Sequence, residues 1–251
     1  MSRPSRPKKV KKLSNIFAPK AASARTQIKS LAQKRVEEYV VRALSTDRSA
    51  MTVVRIGLEA VRNCEGVAET LINEFQPTLA CRQGCDYCCH PPVSATVAEV
   101  ANIVAYVEAQ LPPEETERLR ERVQQMKSLT EPMSSRERAK TNLPCPFLEA
   151  GRCSVYPVRP LACRGFNSYD QAICRQVFEH PENPPKVPTF VPLVASAQGM
   201  KEGVAGGLLR QGLSTPVVDL VKGSAKLFHD LEGSLERWLE GENEFLHCLP
   251  F

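Results

Sequence analysis

Apolar residues recur along most of this chain at steps of three and four, the spacing that gathers them on one face of an α-helix. From Thr26, the positions Ile28, Leu31, Val36, Val40 and Leu44 mark a first helix. A second runs from about Ser49 to Phe75, with Val54, Leu58, Val61, Ala68, Leu71, Ile72 and Phe75 on one face. Cys64 lies on that face and reads as a small buried hydrophobe. Thr96-Val97-Ala98-Glu99 has the form of a capping box. Val97, Val100, Val104, Val107 and Leu111 extend the helix it starts, and Pro112-Pro113 stops it. A charged helix follows from about Glu114 to Ser128 on a narrow stripe of Leu119, Val123 and Met126.

Between 130 and 190 the periodicity gives way to prolines, glycines and short apolar pieces, which predict loop with one short hairpin around Ala150-Gly151. Helix returns with Leu193, Ala197, Met200, Val204 and Leu208. Beside that stripe Gly199, Gly203 and Gly207 sit four apart, an opening for the close approach of another helix. Thr215-Pro216 predicts a restart, with Thr as N-cap and Pro at the first helical position. Leu220, Leu227, Phe228, Leu231, Leu235, Trp238 and Leu239 carry its apolar face, with Trp238 in the core or an interface. The pattern predicts a mainly α fold, a helical domain enclosing an irregular, loop-rich module at about 78–180.

Composition and charge refine this picture. The chain has 251 residues and a net charge of +5, and residues 1–36 carry eleven Lys/Arg and no Asp/Glu, which leaves the rest at −6. Residues 1–25, with three prolines and no period, read as a disordered basic tail, and 26–251 as a single helical domain. The tail is compatible with a solvated leader or a transit peptide, and it is the one feature that points toward nucleic acid or an anionic surface. No apolar run reaches 18 residues, so a transmembrane helix is not expected. No apolar segment follows the charged start, so a secretory signal is not expected either, and the expectation is a cytoplasmic protein with reduced thiols.

Those thiols carry the chemistry. Cys81, Cys85, Cys88 and Cys89 fall within nine residues, and Cys145, Cys153, Cys163 and Cys174 follow in the proline-punctuated region. If 81–89 is helical, the first four sulfurs share one arc; if it is loop, Gly84 lets the backbone wrap an ion. Close thiolates repel unless a cation relieves them, and soft sulfur ligands select zinc or iron–sulfur. Neighbouring side chains diverge, so the pair Cys88-Cys89 suits two ions or one polynuclear cluster better than a single tetrahedral ion. His90 follows as a donor to a ligand rather than a ligand. Arg159 and Arg164, on either side of Cys163, are placed to donate hydrogen bonds to sulfur, to hold an anionic substrate or cofactor group, or to bond loop carbonyls. Tyr156 and Asp86 are weaker candidates, and Cys248 reads as a bystander.

The spacing Cys81-x3-Cys85-x2-Cys88 is that of radical S-adenosylmethionine enzymes, but the repeated strand–helix units of their barrel do not follow. Taken with Cys145-Pro-Phe-Leu, Gly-Arg-Cys153-Ser-Val-Tyr and Arg159-Pro-x2-Cys163-Arg164, the sequence instead resembles the YkgJ-type cysteine-cluster proteins, described as a zinc- or iron-chelating domain. Flagellin lysine N-methylases carry a similar cluster. The resemblance covers about residues 78–180 and implies a metal module on Cys81, Cys85, Cys88, Cys89, Cys145, Cys153 and Cys163, to which Cys174 is added as the next in the series. It implies zinc or an iron–sulfur cluster. The methylase branch adds S-adenosylmethionine and a protein-lysine substrate by analogy, and an interaction module stapled by zinc, with the tail contacting a protein partner, is the alternative. Whether the chain is an enzyme is left open.

Overall fold

The computed structural model describes residues 21–250. Its helices are α1 (Ala21–Thr46), α2 (Ala50–Phe75), α3 (Val97–Gln110), α4 (Pro113–Thr130), α5 (Ser135–Lys140), α6 (Leu161–Gly165), α7 (Gln171–Glu179), α8 (Val191–Arg210), α9 (Leu220–His229) and α10 (Leu231–Leu239). Two short antiparallel ladders join them, β1 (Ser94–Thr96) with β4 (Val217–Asp219) and β2 (Leu148–Glu149) with β3 (Arg152–Cys153). The mainly α class expected from periodicity is what the chain adopts. Among the described residues no helix is long and apolar enough to cross a membrane. The tail expected at 1–25 lies largely outside the described residues, and 21–25 already belong to α1.

The glycine stripe works as its spacing suggests. A Cβ on Gly199 would come within 2.2 Å of the Lys29 carbonyl oxygen, one on Gly203 within 2.4 Å of the Gln33 oxygen, and one on Gly207 within 2.5 Å of the Val40 Cβ. Partner numbers rise together, so α1 and α8 run parallel with their backbones in near contact. Lys29–Glu202 (2.7 Å) and Arg210–Glu37 (3.2 Å) flank the seam. Gly203→Ala is therefore expected to lower stability by about 1–3 kcal/mol through overpacking. Gly66→Ala, on an open stretch of α2 with nothing within 4 Å, should raise it by roughly 0.5–1 kcal/mol through helix propensity. Urea midpoints of the two variants moving in the same direction would refute the close seam.

The β1–β4 ladder has a two-fold character. Val97 N–H donates to the Pro216 carbonyl and Leu220 N–H to the Val93 carbonyl, both at 2.9 Å. Each strand ends on the N-cap of a helix: Thr96 caps α3 through a full capping box, and Asp219 caps α9 by accepting from Val221 and Lys222 N–H. The core fills the space between these units with Val53, Ile56, Val100, Ile103, Val104, Leu208, Leu235, Trp238 and Phe245, all fully buried. Trp238 sits in that core, its Nε1–H on the Ser214 carbonyl (2.6 Å) and its ring edge-to-face with Phe245.

Several expectations are corrected. In α2, Val61, Leu71 and Cys64 are buried as expected, joined by Val53, Ile56, Gly57 and Ala60, while Ile72 and Phe75 are exposed. Small residues decide this: Gly57 lies so close to α3 that a Cβ would stand 2.0 Å from the Ala98 oxygen. In α1, Leu31 is exposed, whereas Val40 and Leu44 are buried as expected. The restart at Thr215-Pro216 is displaced: Thr215 takes a left-handed φ of 50°, Val217-Val218 pair as strand, and the helix begins at Leu220. Pro113 opens α4 at its first position rather than only ending α3. The stretch 130–190 contains three short helices, α5, α6 and α7, each with its own cap or outside partner. The hairpin at Ala150-Gly151 is present, with φ of 48° and 73° at the two turn residues, the backbone of a two-residue type I′ turn.

Candidate metal centre

The eight clustered cysteines come from four local frames. Cys81 and Cys85 lie in a loop turned by Gly84 (φ 83°), and Cys88 and Cys89 on a single 3-10 turn, Tyr87–Cys89. This segment is therefore not the helix that would place all four sulfurs on one arc; Gly84 and a one-turn helix take its place. Cys145 and Cys153 bracket the β2–β3 hairpin. Cys163 rides on α6 and Cys174 on α7. The frames are joined at the backbone, where Cys145 N–H donates to the Cys89 carbonyl at 2.7 Å and Ala80 N–H to the Ser168 carbonyl at 2.8 Å. The hairpin turn comes down beside the first loop, with Gly151 facing the Gly84 carbonyl.

Each frame is fixed by neighbours that the periodicity does not announce. α6 has no side-chain cap at Pro160, and Glu99 supplies the acceptor instead. The Glu99 carboxyl is fully buried: one oxygen accepts from Thr96 N–H and Oγ1–H (2.8 Å each), the other from Leu161 N–H (2.7 Å). One side chain thus starts α3 and α6 together. Gly165 presses α6 onto α8, where a Cβ would meet Ala197 Cβ at 2.4 Å. Asn167 accepts from Phe190 N–H at 2.6 Å and donates to the Gly165 carbonyl, fixing the exit. α7 is capped by Asp170 and docks through Phe178, whose ring lies against Tyr87 (5.8 Å) and edge-on to His90 (4.7 Å). His90 also holds the Asp86 carbonyl through Nδ1 at 3.1 Å.

The thiols are near enough to oppose one another's ionisation. Cys81 and Cys85 feel Cys88 and Cys174; Cys163 feels Cys145, Cys153 and Cys88; Cys88 is common to both sets. Burial pushes Cys145 up to about 12 and holds Cys163 well above the ordinary thiol range. Cys88 is raised further, first by the Cys89 thiol hydrogen-bonded to it and then by burial. These groups hold their protons in water unless a cation displaces them, so metal uptake here releases protons.

Backbone amides oppose that trend. The N–H of Tyr87 hydrogen-bonds the Cys85 sulfur, that of Phe147 the Cys145 sulfur, and that of Val155 the Cys153 sulfur, in each case two residues on; Ser168 N–H serves Cys81. An amide dipole aimed at sulfur stabilises a thiolate far more than a thiol. The donor set therefore fits a soft metal centre, with sulfur ligands already provided with donors for their charge. Among the described residues no three His, Cys, Asp or Glu side chains are grouped so as to hold a metal ion.

The remaining candidates separate. Arg164 is buried and spends its terminal nitrogens on Glu65 (3.1 Å) and on the carbonyls of Tyr156 and Pro157 (3.3 and 2.8 Å), the loop-carbonyl alternative. Arg159 instead lies over the exposed Tyr156 ring, 4.3 Å from its centroid. Cys64 is fully buried and Cys248 is buried, both in the helical core. Glu99 is the residue that motif reading missed as part of the site. The signal was available: a capping-box glutamate spends one oxygen on its own helix and leaves the other free.

Residues 80–182 match the model of the CxxCxxCC family, described as "Putative zinc- or iron-chelating domain". The match spans less than half of the chain and covers all eight clustered cysteines. It supports a metal-chelating role, for zinc or iron, and carries neither the YkgJ-type name nor a relation to the methylases. No curated protein and no solved structure matches.

Proposed function

We propose that this protein binds zinc or an iron–sulfur cluster through Cys81, Cys85, Cys88, Cys89, Cys145, Cys153, Cys163 and Cys174, held in a helical frame. The observation that carries the reading is the set of backbone amides directed at Cys81, Cys85, Cys145 and Cys153, an arrangement whose stabilising effect is realised only when those sulfurs are thiolates. When bound, zinc would cross-link the loops and an iron–sulfur cluster would add one-electron redox capacity. The chain's own contribution is to bring four frames together and to supply sulfur-directed donors. Neither the geometry nor the family match supports S-adenosylmethionine.

The test is metal and acid-labile sulfide analysis of protein purified without oxygen. Stoichiometric zinc, or iron with sulfide and broad thiolate-to-iron absorption near ~400 nm, is expected. Protein that carries neither metal, and takes up neither on reconstitution, would overturn the reading.

A further inference from the structure

Thiolate metal centres are negative: four thiolates on a divalent ion leave a net charge of −2, and eight on two ions leave −4. In a half-buried module this charge needs a nearby cation. Several cations reach the sulfurs electrostatically, but nearly all are occupied. Arg122 donates to the Leu148 carbonyl, Arg138 to the carbonyls of Thr141 and His90, and Arg164 to Glu65 and two loop carbonyls. Lys201, near Cys163, has its ammonium on Ser94.

Arg159 differs. Its Nε is buried without a partner, as that of Arg164 also is, but its terminal nitrogens, unlike those of Arg164, have no hydrogen-bond or ion-pair partner among the described residues either. Its Cζ lies 4.3 Å from the centroid of the Tyr156 ring, a cation–π contact that uses none of its N–H donors. The residue sits between the 3-10 turn Tyr156–Val158 and α6, four positions before Cys163. Its charge is felt by Cys81, Cys88, Cys153 and Cys163, so it reaches both sets of thiols.

We propose that Arg159 is the charge-compensating donor of the module, its guanidinium hydrogen-bonding metal-bound sulfur and offsetting the thiolate charge from a platform made by Tyr156. An unpartnered buried donor beside sulfurs that become anionic on metal binding is a donor whose acceptor arrives with the metal. The inference rests on the metal-binding reading.

The test uses the full chain loaded with Zn2+ or Co2+ and competition against a chromophoric chelator. Arg159→Gln is expected to bind either metal about 10- to 100-fold more weakly, the usual effect of losing a hydrogen bond to a ligand. Its cobalt–thiolate absorption should match that of the natural chain, because no sulfur ligand is lost. An affinity within twofold of the natural chain would overturn the proposal, and so would weaker binding with diminished thiolate absorption, which would mean that Arg159 merely holds a cysteine in place. Should the Gln variant fail to fold, Arg159→Lys decides: a folded Lys variant weakened about three- to tenfold supports the guanidinium as donor, and unchanged affinity refutes it. Failure of the natural chain to bind either ion would instead remove the metal-binding reading itself.

Discussion

Replacing Glu99 with alanine is expected to destabilise the fold by about 3–5 kcal/mol, from three buried donors at roughly 1–3 kcal/mol each, less what the Thr96 hydroxyl recovers by turning. Thr96 N–H, Thr96 Oγ1–H and Leu161 N–H all end on this one fully buried carboxyl. The loss falls on two helices together: α3 keeps Thr96 as its N-cap but loses the reciprocal half of its capping box, and α6 loses the acceptor that stands in for a capping side chain at Pro160. Because α6 carries Cys163, the lesion should extend to metal affinity. Glu99→Gln separates the two effects. Its amide oxygen can serve Thr96 while its NH2 group faces Leu161 N–H, so it should cost about 1–3 kcal/mol and concentrate the damage on the Cys163 frame. Urea unfolding with parallel metal titration measures both, and an alanine variant within ~1 kcal/mol of the natural chain would show that the shared cap is unimportant.

Metal loading should produce the second large effect. With free metal held about 1,000-fold above the dissociation constant, binding to the folded chain alone adds about 4 kcal/mol. For a domain of this size that corresponds to a rise of roughly 8–16 °C in Tm. The structural basis is that the module has few apolar anchors of its own. Between Thr141 and Cys174 the buried apolar side chains are Phe147, Val155, Val158 and Leu161, all part of the helical core, against which Cys145 and Cys153 pack. Joining the loop at 81–89 to the hairpin and to α6 and α7 replaces missing apolar burial with covalent-strength links. The double change Cys145→Ser with Cys153→Ser, at the two ends of the hairpin, should abolish most of the shift while leaving the α1–α8 seam intact. Superimposable melting curves with and without metal would contradict the idea that the module is held together by its ion.

Long helices were legible because their faces repeat. Val40, Val104 and Val204 sit at the centres of their stripes and are fully buried. On α2, Val61, Cys64 and Leu71 are buried as expected, but the exposed Ile72 and Phe75 were misjudged because side chains were weighed by hydrophobicity, whereas Gly57 decides the contact by allowing α3 to approach. Short helices escaped notice for a different reason. α6 and α7 are too short to persist by themselves and depend on distant partners, Glu99 for one and the Tyr87–Phe178 contact for the other. α5 does carry a local signal, Ser134 and Glu137 in a capping box. The coarse role, zinc or iron chelation, was legible in residue type and spacing and agrees with the family match over 80–182. The positioning of the site was not, because Glu99 and Asn167 act across 62 and 23 residues of chain.

The pairing of β1 with β4 sets a schedule as well as a shape. All eight clustered thiols have been synthesised once Cys174 is in place, yet the strand that closes the frame is Val217–Asp219. At about 5–20 residues per second, the roughly forty residues between them take ~2–10 s to make. During that interval α8 has only begun to find α1, and β1 has no partner. Nascent chain thus passes through a stage with a complete set of thiols and an incomplete scaffold, in which capture of metal, oxidation and closure of the ladder compete in time.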